Sequence, residues 1–154
     1  MTDMPPVSLH VPAFRVAGMA VRTRNCDEMD PATARIGGLW KRFYSQRPSG
    51  GDERIFGVYS AYESDQYGAF DLTVGVLVSS DGAAGEPGAA QVEVQAGDYL
   101  VFRGQGSMPQ TVIGTWNEVW RYFDDNPQVQ RRFGTDFEAH AGPDMVDIHI
   151  GVRG

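Results

Sequence analysis

The hexapeptide DLTVGV at residues 71–76 is nearly repeated by DIHIGV at residues 147–152. Three of the six positions are identical, and two more are aliphatic in both copies. The alternation of apolar side chains predicts a β-strand for each copy. Because short strand-like matches are common, the pair indicates an internal duplication only if neighbouring segments repeat in the same order.

Amphipathic segments precede both copies, and they also match each other. LWKRF at residues 39–43 aligns with VWRYF at residues 119–123, at a similar spacing. Helical periodicity groups the apolar residues of each segment on one face. The first face comprises Ile36, Leu39, Trp40 and Phe43, and the second comprises Ile113, Trp116, Trp120 and Phe123. Each segment is therefore predicted to be a helix that packs against a sheet.

Strand-like runs complete the two halves of the chain. They span residues 7–11, 14–23, 54–63 and 69–80 in the first half, and residues 92–94, 98–104, 136–140 and 145–152 in the second. Asp30 before Pro31 predicts the start of the first helix, and a capping box of Ser107 and Gln110 predicts the start of the second. The small residues at 81–90 predict a flexible connection between the halves.

These segments predict an α+β fold built from two ββαββ units. We expect the units, residues 7–80 and 91–152, to form one antiparallel sheet of about eight strands with two main helices. The 154 residues have the length of one domain, and we assign residues 1–154 to it. Two packed repeats leave a cleft between them, and small ligands commonly bind in such clefts.

Composition narrows the classes of function. The net charge of −7 and the pI of about 4.8 disfavour direct nucleic-acid binding. The first residues lack a signal-peptide pattern and no apolar run is long enough to span a bilayer, so we expect a cytoplasmic protein without a membrane partner. Cys26 is the single cysteine, and HExxH, GxSxG and phosphate-loop motifs are absent. We therefore expect no metal, no cofactor and no nucleophilic catalysis.

The last two strands are predicted to pair as a hairpin. Alternation along the final strand places its apolar residues beneath the helices: Ile148, Ile150 and Val152. We expect Phe137 and Ala139 of the partner strand to share that apolar face. Glu138 and His140 would then lie on the opposite face, beside His149.

Aromatic residues concentrate on the helices and the central strands; among them are Trp40, Trp116, Trp120, Tyr59 and Tyr62. Most such residues pack in cores, but three tryptophans on two helices exceed what a small core needs. We expect some of them to form the wall of a cleft with Glu138 at its floor. A buried carboxylate is costly unless a partner supplies positive charge or hydrogen bonds. A flat organic cation would do so, and each aromatic face would add about 0.5–2 kcal/mol.

Several stretches resemble the effector-binding domains of GyrI-like proteins. They are IFGVY (55–59), YESD (62–65), GDYLVF (97–102), WNEVW (116–120), DFE (136–138) and DIHI (147–150). The resemblance extends over about residues 7–152 and is greatest to free-standing integron-associated effector-binding proteins. Related domains occur at the C-termini of AraC-type and MerR-type transcription activators. It implies a duplicated αβ fold with a ligand cleft between the halves. It also implies recognition of hydrophobic, often cationic, small molecules.

The resemblance also implies a role for Glu138. The acid in the family's FE-x-aromatic strand is the one expected to meet the ligand's positive charge, and here that acid is Glu138. His140 and His149 stand where the family pattern has aromatic residues, which would make the cleft more polar or sensitive to pH. The predicted ligand-binding residues are Glu138, His149, His140, Tyr59, Tyr62, Trp40, Trp116 and Trp120.

Three functions stay open at this point. The first is binding of a hydrophobic or cationic organic effector, with any role in transcription regulation or drug sensing exercised through a separate, unidentified protein partner. The second is implied by the resemblance to GyrI-like hydrolases of reactive small molecules: Glu138 would act as general acid or base, and Tyr59 or Tyr62 would position water or substrate. The third is a protein-interaction module of the gyrase-inhibitor type. We expect binding rather than catalysis.

Overall fold

The computed structural model describes residues 6–28, 30, 32–46, 55–64, 68–77, 90–107, 110–140 and 144–153. Its strands are β1 (Val7–Val11), β2 (Phe14–Thr23), β3 (Ile55–Ser60), β4 (Phe70–Leu77), β5 (Ala90–Val94), β6 (Gly97–Gln105), β7 (Arg131–His140) and β8 (Met145–Val152). Its helices are α1 (Asn25–Glu28), α2 (Ile36–Gln46) and α3 (Gln110–Asp125). The predicted strands and the two main helices are confirmed. The predicted connection at 81–90 lies outside the described residues, apart from Ala90.

In the described part of the chain, eight strands form one antiparallel sheet in the order β1-β6-β8-β7-β3-β4-β2-β5. Replacing each strand by its counterpart in the other half gives the same order read from the opposite edge, which confirms the predicted duplication. The strands β3 and β7 pair at the centre. The first strand of each half is exchanged, because β1 pairs with β6 and β5 pairs with β2. The sequence did not predict this exchange, since alternation identifies a strand but not its neighbour.

Both main helices pack on one side of the sheet, here called the helix face. Beneath α2 lie buried residues of β3 and β4: Ile55, Tyr59, Phe70, Leu72 and Val74. Beneath α3 lie buried residues of β6 and β8: Phe102, Val146, Ile148 and Ile150. The other side, here called the reverse face, curls on itself, because Phe14 of β2 lies 5.2 Å from Phe137 of β7 between ring centroids. The helix face is therefore the side on which a site can open between two helices.

The start of α2 differs from the prediction. The backbone N–H groups of Arg35 and Ile36 donate to the carboxylate of Glu28, at 2.8 and 3.0 Å. Asp30, the predicted N-cap, instead accepts the N–H of Ala32 at 3.0 Å within a turn before the helix. The predicted start at Asp30 is therefore wrong. A carboxylate of α1, seven and eight residues earlier in the chain, accepts these free N–H groups and lies at the positive end of the helix dipole.

We expect Glu28→Ala to lower the free energy of unfolding by about 1 kcal/mol, because two N–H groups at the start of α2 lose their acceptor. Urea denaturation measures the change. Asp27→Ala is the matched control, since the side chain of Asp27 forms an exposed ion pair with Arg24, at 3.5 Å. Equal losses for the two variants would show that Glu28 is not a cap.

The apolar stripe of α3 also differs in part from the prediction. Trp116 and Phe123 pack on the sheet as expected, with fully buried Val119 between them. Ile113 and Trp120, however, are 59% and 39% exposed. Apolar residues extend around much of this helix, so periodicity alone allows several neighbouring stripes, and packing selects one of them. Among the described residues, no helix has both the length and the apolar character needed to cross a membrane.

Candidate functional site

Glu138 lies at the centre of the sheet, on the helix face. Its neighbours across the strands are Gly57 of β3 and Ile148 of β8. The residue is 2% exposed. A Cβ atom on Gly57 would lie 3.1 Å from Cζ2 of Trp40 and 3.5 Å from Oε1 of Glu138. The absence of a side chain at Gly57 therefore leaves the space in which the tryptophan of α2 approaches the acid of β7.

Three side chains contact the carboxylate of Glu138. The hydroxyl of Tyr59 and the indole N–H of Trp116 both donate to Oε2, each at 2.6 Å. Nε2 of His140 lies 3.0 Å from Oε1. Within the described ranges, no lysine or arginine forms an ion pair with this acid, and His140 is its one basic partner. The charge is thus held by two neutral donors and an imidazole.

Aromatic rings enclose this group from both helices. The ring of Trp40 on α2 meets the His140 ring edge-on at 4.9 Å between centroids. The ring of Trp116 on α3 meets the Tyr59 ring edge-on at 5.0 Å. Trp120, one turn further along α3, lies 6.3 Å from Trp116 and is partly exposed. The rings form a continuous aromatic surface from solvent to the buried acid.

The environment keeps Tyr59 protonated. Burial raises the pKa of the Tyr59 hydroxyl well above its usual value, and the charge of Glu138 raises it further. The phenol is therefore a hydrogen-bond donor throughout the neutral pH range. Burial likewise raises the pKa of Tyr62, followed in importance by the charge of Asp136.

A second buried acid, Asp136, lies two residues away on the same face, and it was not among the predicted site residues. It accepts hydrogen bonds from the Tyr62 hydroxyl, from Nη2 of Arg131 at 2.7 Å and from the N–H of Gly151 at 2.8 Å. Unlike Glu138, it has an arginine partner, whose side chain is 8% exposed. Asp136 therefore has the surroundings of a structural acid. The predicted strand began at Asp136, so Arg131 fell outside the predicted element.

The predicted register of the last hairpin is wrong. Strand β7 pairs with β8 so that Phe137 lies opposite His149, and Glu138 lies opposite Ile148. Directly opposed residues share a face, so Phe137 and Ala139 lie on the reverse face, and Glu138 and His140 lie beneath the helices. A register that differs by one residue reverses every such assignment, and alternation along each strand is the same in both registers.

His149 is consequently separated from Glu138 by the sheet. Its ring stacks on Phe137 with centroids 4.1 Å apart and planes 13° apart, and Nδ1 lies 3.1 Å from the carbonyl oxygen of Asp147. Of the predicted site residues, the structure brings Glu138, His140, Tyr59, Trp40 and Trp116 together. Tyr62 lies beside them at Asp136, and Trp120 lies at the exposed end of the aromatic surface. His149 is not part of this group.

The site is closed in this conformation. A cavity of about 700 Å³ lies along α2, lined by Arg35, Leu39, Lys41, Arg42 and other residues, but none of the predicted site residues lines it. Glu138 is covered by the side chains that contact it. The indole of Trp116 and the imidazole of His140 lie directly against its carboxylate, and Trp40 packs on that imidazole.

An antiparallel sheet of two ββαββ repeats with two main helices on one side is the fold of GyrI-like effector-binding domains. Within that class, residues 9–152 match the family model of Cass2, the integron-associated effector binding proteins, and the chain belongs to this family. The resemblance predicted from the sequence is confirmed.

Three relatives illustrate the match. The Vibrio cholerae integron cassette protein VCH_CASS2 is 38% identical, with 98% of this chain and 97% of that chain covered and a TM-score of 0.86. YobU of Bacillus subtilis strain 168, named as a candidate transcriptional regulator, is 29% identical over 154 residues, 93% of each chain. SAV2435, solved bound to tetraphenylphosphonium, is 20% identical with a TM-score of 0.73, and 98% and 95% of the two chains are covered. The last of these shows a common fold.

Proposed function

We propose that this protein is an effector-binding protein that takes a hydrophobic organic cation at Glu138, between Trp40 of α2 and Trp116 of α3. The observation that supports this most is a carboxylate that is 2% exposed and has no lysine or arginine partner among the described residues. Tyr59 and Trp116 orient that carboxylate from one side. A bound cation would place a permanent positive charge beside the carboxylate, which no lysine or arginine of the described residues does.

The energetics favour a cation that is large and apolar. A small, strongly hydrated ion would lose its water on entering a site walled by indole rings. A lipophilic cation loses little hydration, gains the carboxylate as counter-charge, and places its surface against Trp40 and Trp116. Each aromatic face contributes about 0.5–2 kcal/mol to such contacts. Tetraphenylphosphonium, the ligand of SAV2435, has this chemistry and is a suitable probe.

Access requires a conformational change. Because Trp116 donates to Glu138 and Trp40 packs on His140, both indoles must shift before a ligand contacts the carboxylate. Trp120, which is partly exposed and next to Trp116, offers an aromatic surface where a ligand can first bind. The same tryptophans make binding measurable, since displacement of their rings changes the intrinsic fluorescence.

The geometry favours binding over hydrolysis. The hydroxyl of Tyr59 is used as a donor to Glu138, and that of Tyr62 is used as a donor to Asp136. The raised pKa of each tyrosine keeps its hydroxyl protonated at neutral pH, so neither phenol is available as a base to activate water in this conformation. We infer that the protein senses its ligand and reports it to a separate protein partner, in keeping with the regulator name of YobU.

A fluorescence titration tests this function. We expect tetraphenylphosphonium to quench tryptophan fluorescence saturably, and neutral triphenylphosphine oxide to bind far more weakly. Glu138→Gln is expected to weaken binding of the cation by about 2 kcal/mol, or about 30-fold, because a charged partner is lost. Urea denaturation checks that the variant is folded, which we expect because an amide keeps the acceptor for Tyr59 and Trp116.

Asp98→Asn is the control for this titration, because Asp98 is an exposed acid on β6 paired with His10. Mass spectrometry of the recovered ligand separates the first two functions, because a binding protein returns the ligand unchanged and a hydrolase does not. Equal affinity for the cation and the neutral oxide, or unchanged binding by Glu138→Gln, would contradict the proposal. The protein-interaction function would then be preferred.

A further inference from the structure

His140 occupies the place next to Glu138 that a ligand's positive charge would take. Tyr59 and Trp116 both donate to Oε2, whereas Nε2 of His140 lies 3.0 Å from Oε1. The two side chains are nearly buried, with 12% of His140 and 3% of Glu138 exposed. Trp40 packs edge-on against the imidazole and keeps it in place.

We propose that His140 is a specificity-determining residue, whose protonated imidazole acts as the internal counter-ion of Glu138 in the empty site. A ligand displaces this imidazole only by bringing a positive charge of its own, and His140 releases a proton when the ligand binds. This inference rests on the proposed function of the site. It adds that the affinity for a permanent cation depends on pH and that His140 is the cause.

Acidic and aromatic side chains from several elements surround His140 and Glu138. Glu138 of β7 and Tyr59 of β3 are the titratable groups in direct contact, and Glu28 acts on Tyr59 from α1. Non-titrating side chains among the described residues also lie here: Trp40 of α2, Trp116 of α3, Ile55 of β3 and Val146 of β8. Asp136 is already paired with Arg131. Imidazoles change charge between about pH 5 and 8, and among the groups named here His140 is the imidazole.

The direction of the pH dependence follows from charge. At low pH the protonated imidazole pairs with Glu138 and repels an incoming cation, so binding is weak. As pH rises the imidazole becomes neutral, the repulsion is lost, and Glu138 is available to the ligand. Affinity for a permanent cation therefore rises with pH. An amine ligand loses its own proton over the same pH range, so its affinity rises less. The site therefore selects quaternary phosphonium or ammonium compounds over weakly basic amines.

The other two histidines are in different surroundings and serve as references. His10 of β1 is exposed and pairs with Asp98 at the edge of the sheet. His149 lies on the reverse face, stacked on Phe137. If the pH dependence of binding is lost in His140→Gln and retained in His10→Gln, it therefore originates at the site.

Tetraphenylphosphonium is the probe for the test, because its charge does not change with pH. We expect its dissociation constant for the wild type to fall roughly ten-fold between about pH 5.5 and 8, a typical size for coupled binding equilibria. Calorimetry in two buffers of different ionisation enthalpy should show release of up to one proton per ligand. This measurement needs no variant. His140→Gln should bind with an affinity independent of pH, and His10→Gln should keep the wild-type dependence.

The outcomes separate this inference from the proposed function. If the wild type binds the probe with no pH dependence and no proton release, the role of His140 is contradicted and cation binding stands. A pH dependence retained by His140→Gln leads to the same conclusion. A purely structural role would lower the affinity of that variant equally at every pH, with the dependence unchanged. If tetraphenylphosphonium binds at no pH, the proposed function and this inference both fail.

Discussion

Asp136→Ala is expected to destabilise the fold by about 3–5 kcal/mol, because it leaves the buried charge of Arg131 without a partner. Asp136 is 0% exposed and forms three hydrogen bonds that hold three elements together. They reach Arg131 at the start of β7, Gly151 on β8 and Tyr62 after β3. The loss should therefore exceed that of any single apolar contact at the same place.

Urea denaturation of Asp136→Ala and Asp71→Ala compares the free energy of unfolding lost at a buried and at an exposed aspartate–arginine pair. Asp71 pairs with Arg22 at 3.0 Å, but both side chains are exposed, so its removal should cost less than about 1 kcal/mol. Replacing Arg131 by methionine together with Asp136 by leucine should recover much of the stability, because the buried charge is then removed with its partner. A loss for Asp136→Ala no larger than that for Asp71→Ala would show that Arg131 is solvated or paired elsewhere.

The second large effect is expected at Gly75, the glycine of the first hexapeptide. In strand β4 it lies directly opposite Gly18 of β2. A Cβ atom on Gly75 would lie 2.0 Å from the carbonyl oxygen of Ala17, and one on Gly18 would lie 1.9 Å from the carbonyl oxygen of Val74. These contacts are with backbone atoms, which cannot turn aside as a flexible side chain can. Gly75→Ala must therefore push two strands apart.

We expect Gly75→Ala to cost about 3 kcal/mol or more, the upper end of the effects of overpacking. Gly37→Ala is the matched control, because Gly37 lies on α2 and a Cβ there meets nothing within 4 Å. That variant should gain about 0.5–1 kcal/mol from helix propensity. Thermal and urea unfolding of both proteins should thus shift in opposite directions. A tolerated alanine at Gly75 would show that the two strands are further apart than described.

The second copy of the hexapeptide also places its glycine at a close contact. Gly151 corresponds to Gly75, and a Cβ atom on it would lie 3.0 Å from the carbonyl oxygen of Thr135 and 2.8 Å from Nη2 of Arg132. Both copies therefore place glycine where a neighbouring strand or side chain comes close. The first aspartate of each copy pairs with an arginine across the sheet, Asp71 with Arg22 and Asp147 with Arg103. Two of the three identical positions of the repeat, the aspartate and the glycine, therefore have such roles.

Local features of the candidate site were predictable, whereas their assembly was not. Alternation identified strands β7 and β8, and helical periodicity identified the segments that carry Trp40 and Trp116. The resemblance to GyrI-like domains singled out Glu138. The partners of that acid come from β3, from α3 and from its own strand, and no local pattern states which of them meet. His149 shows the consequence, because a register differing by one residue moves it to the reverse face.

The sequence by itself determined the segments of secondary structure, the duplication and the family, because each depends on periodicity or on motifs that are local in the chain. Only the tertiary structure decided three other features: the exchange of β1 and β5 between the halves, the register that places His140 on Glu138, and the pairing of Asp136 with Arg131. Each of these is a contact between elements. Such contacts are selected by packing and by the satisfaction of buried polar groups across the whole fold, so no single segment contains the information.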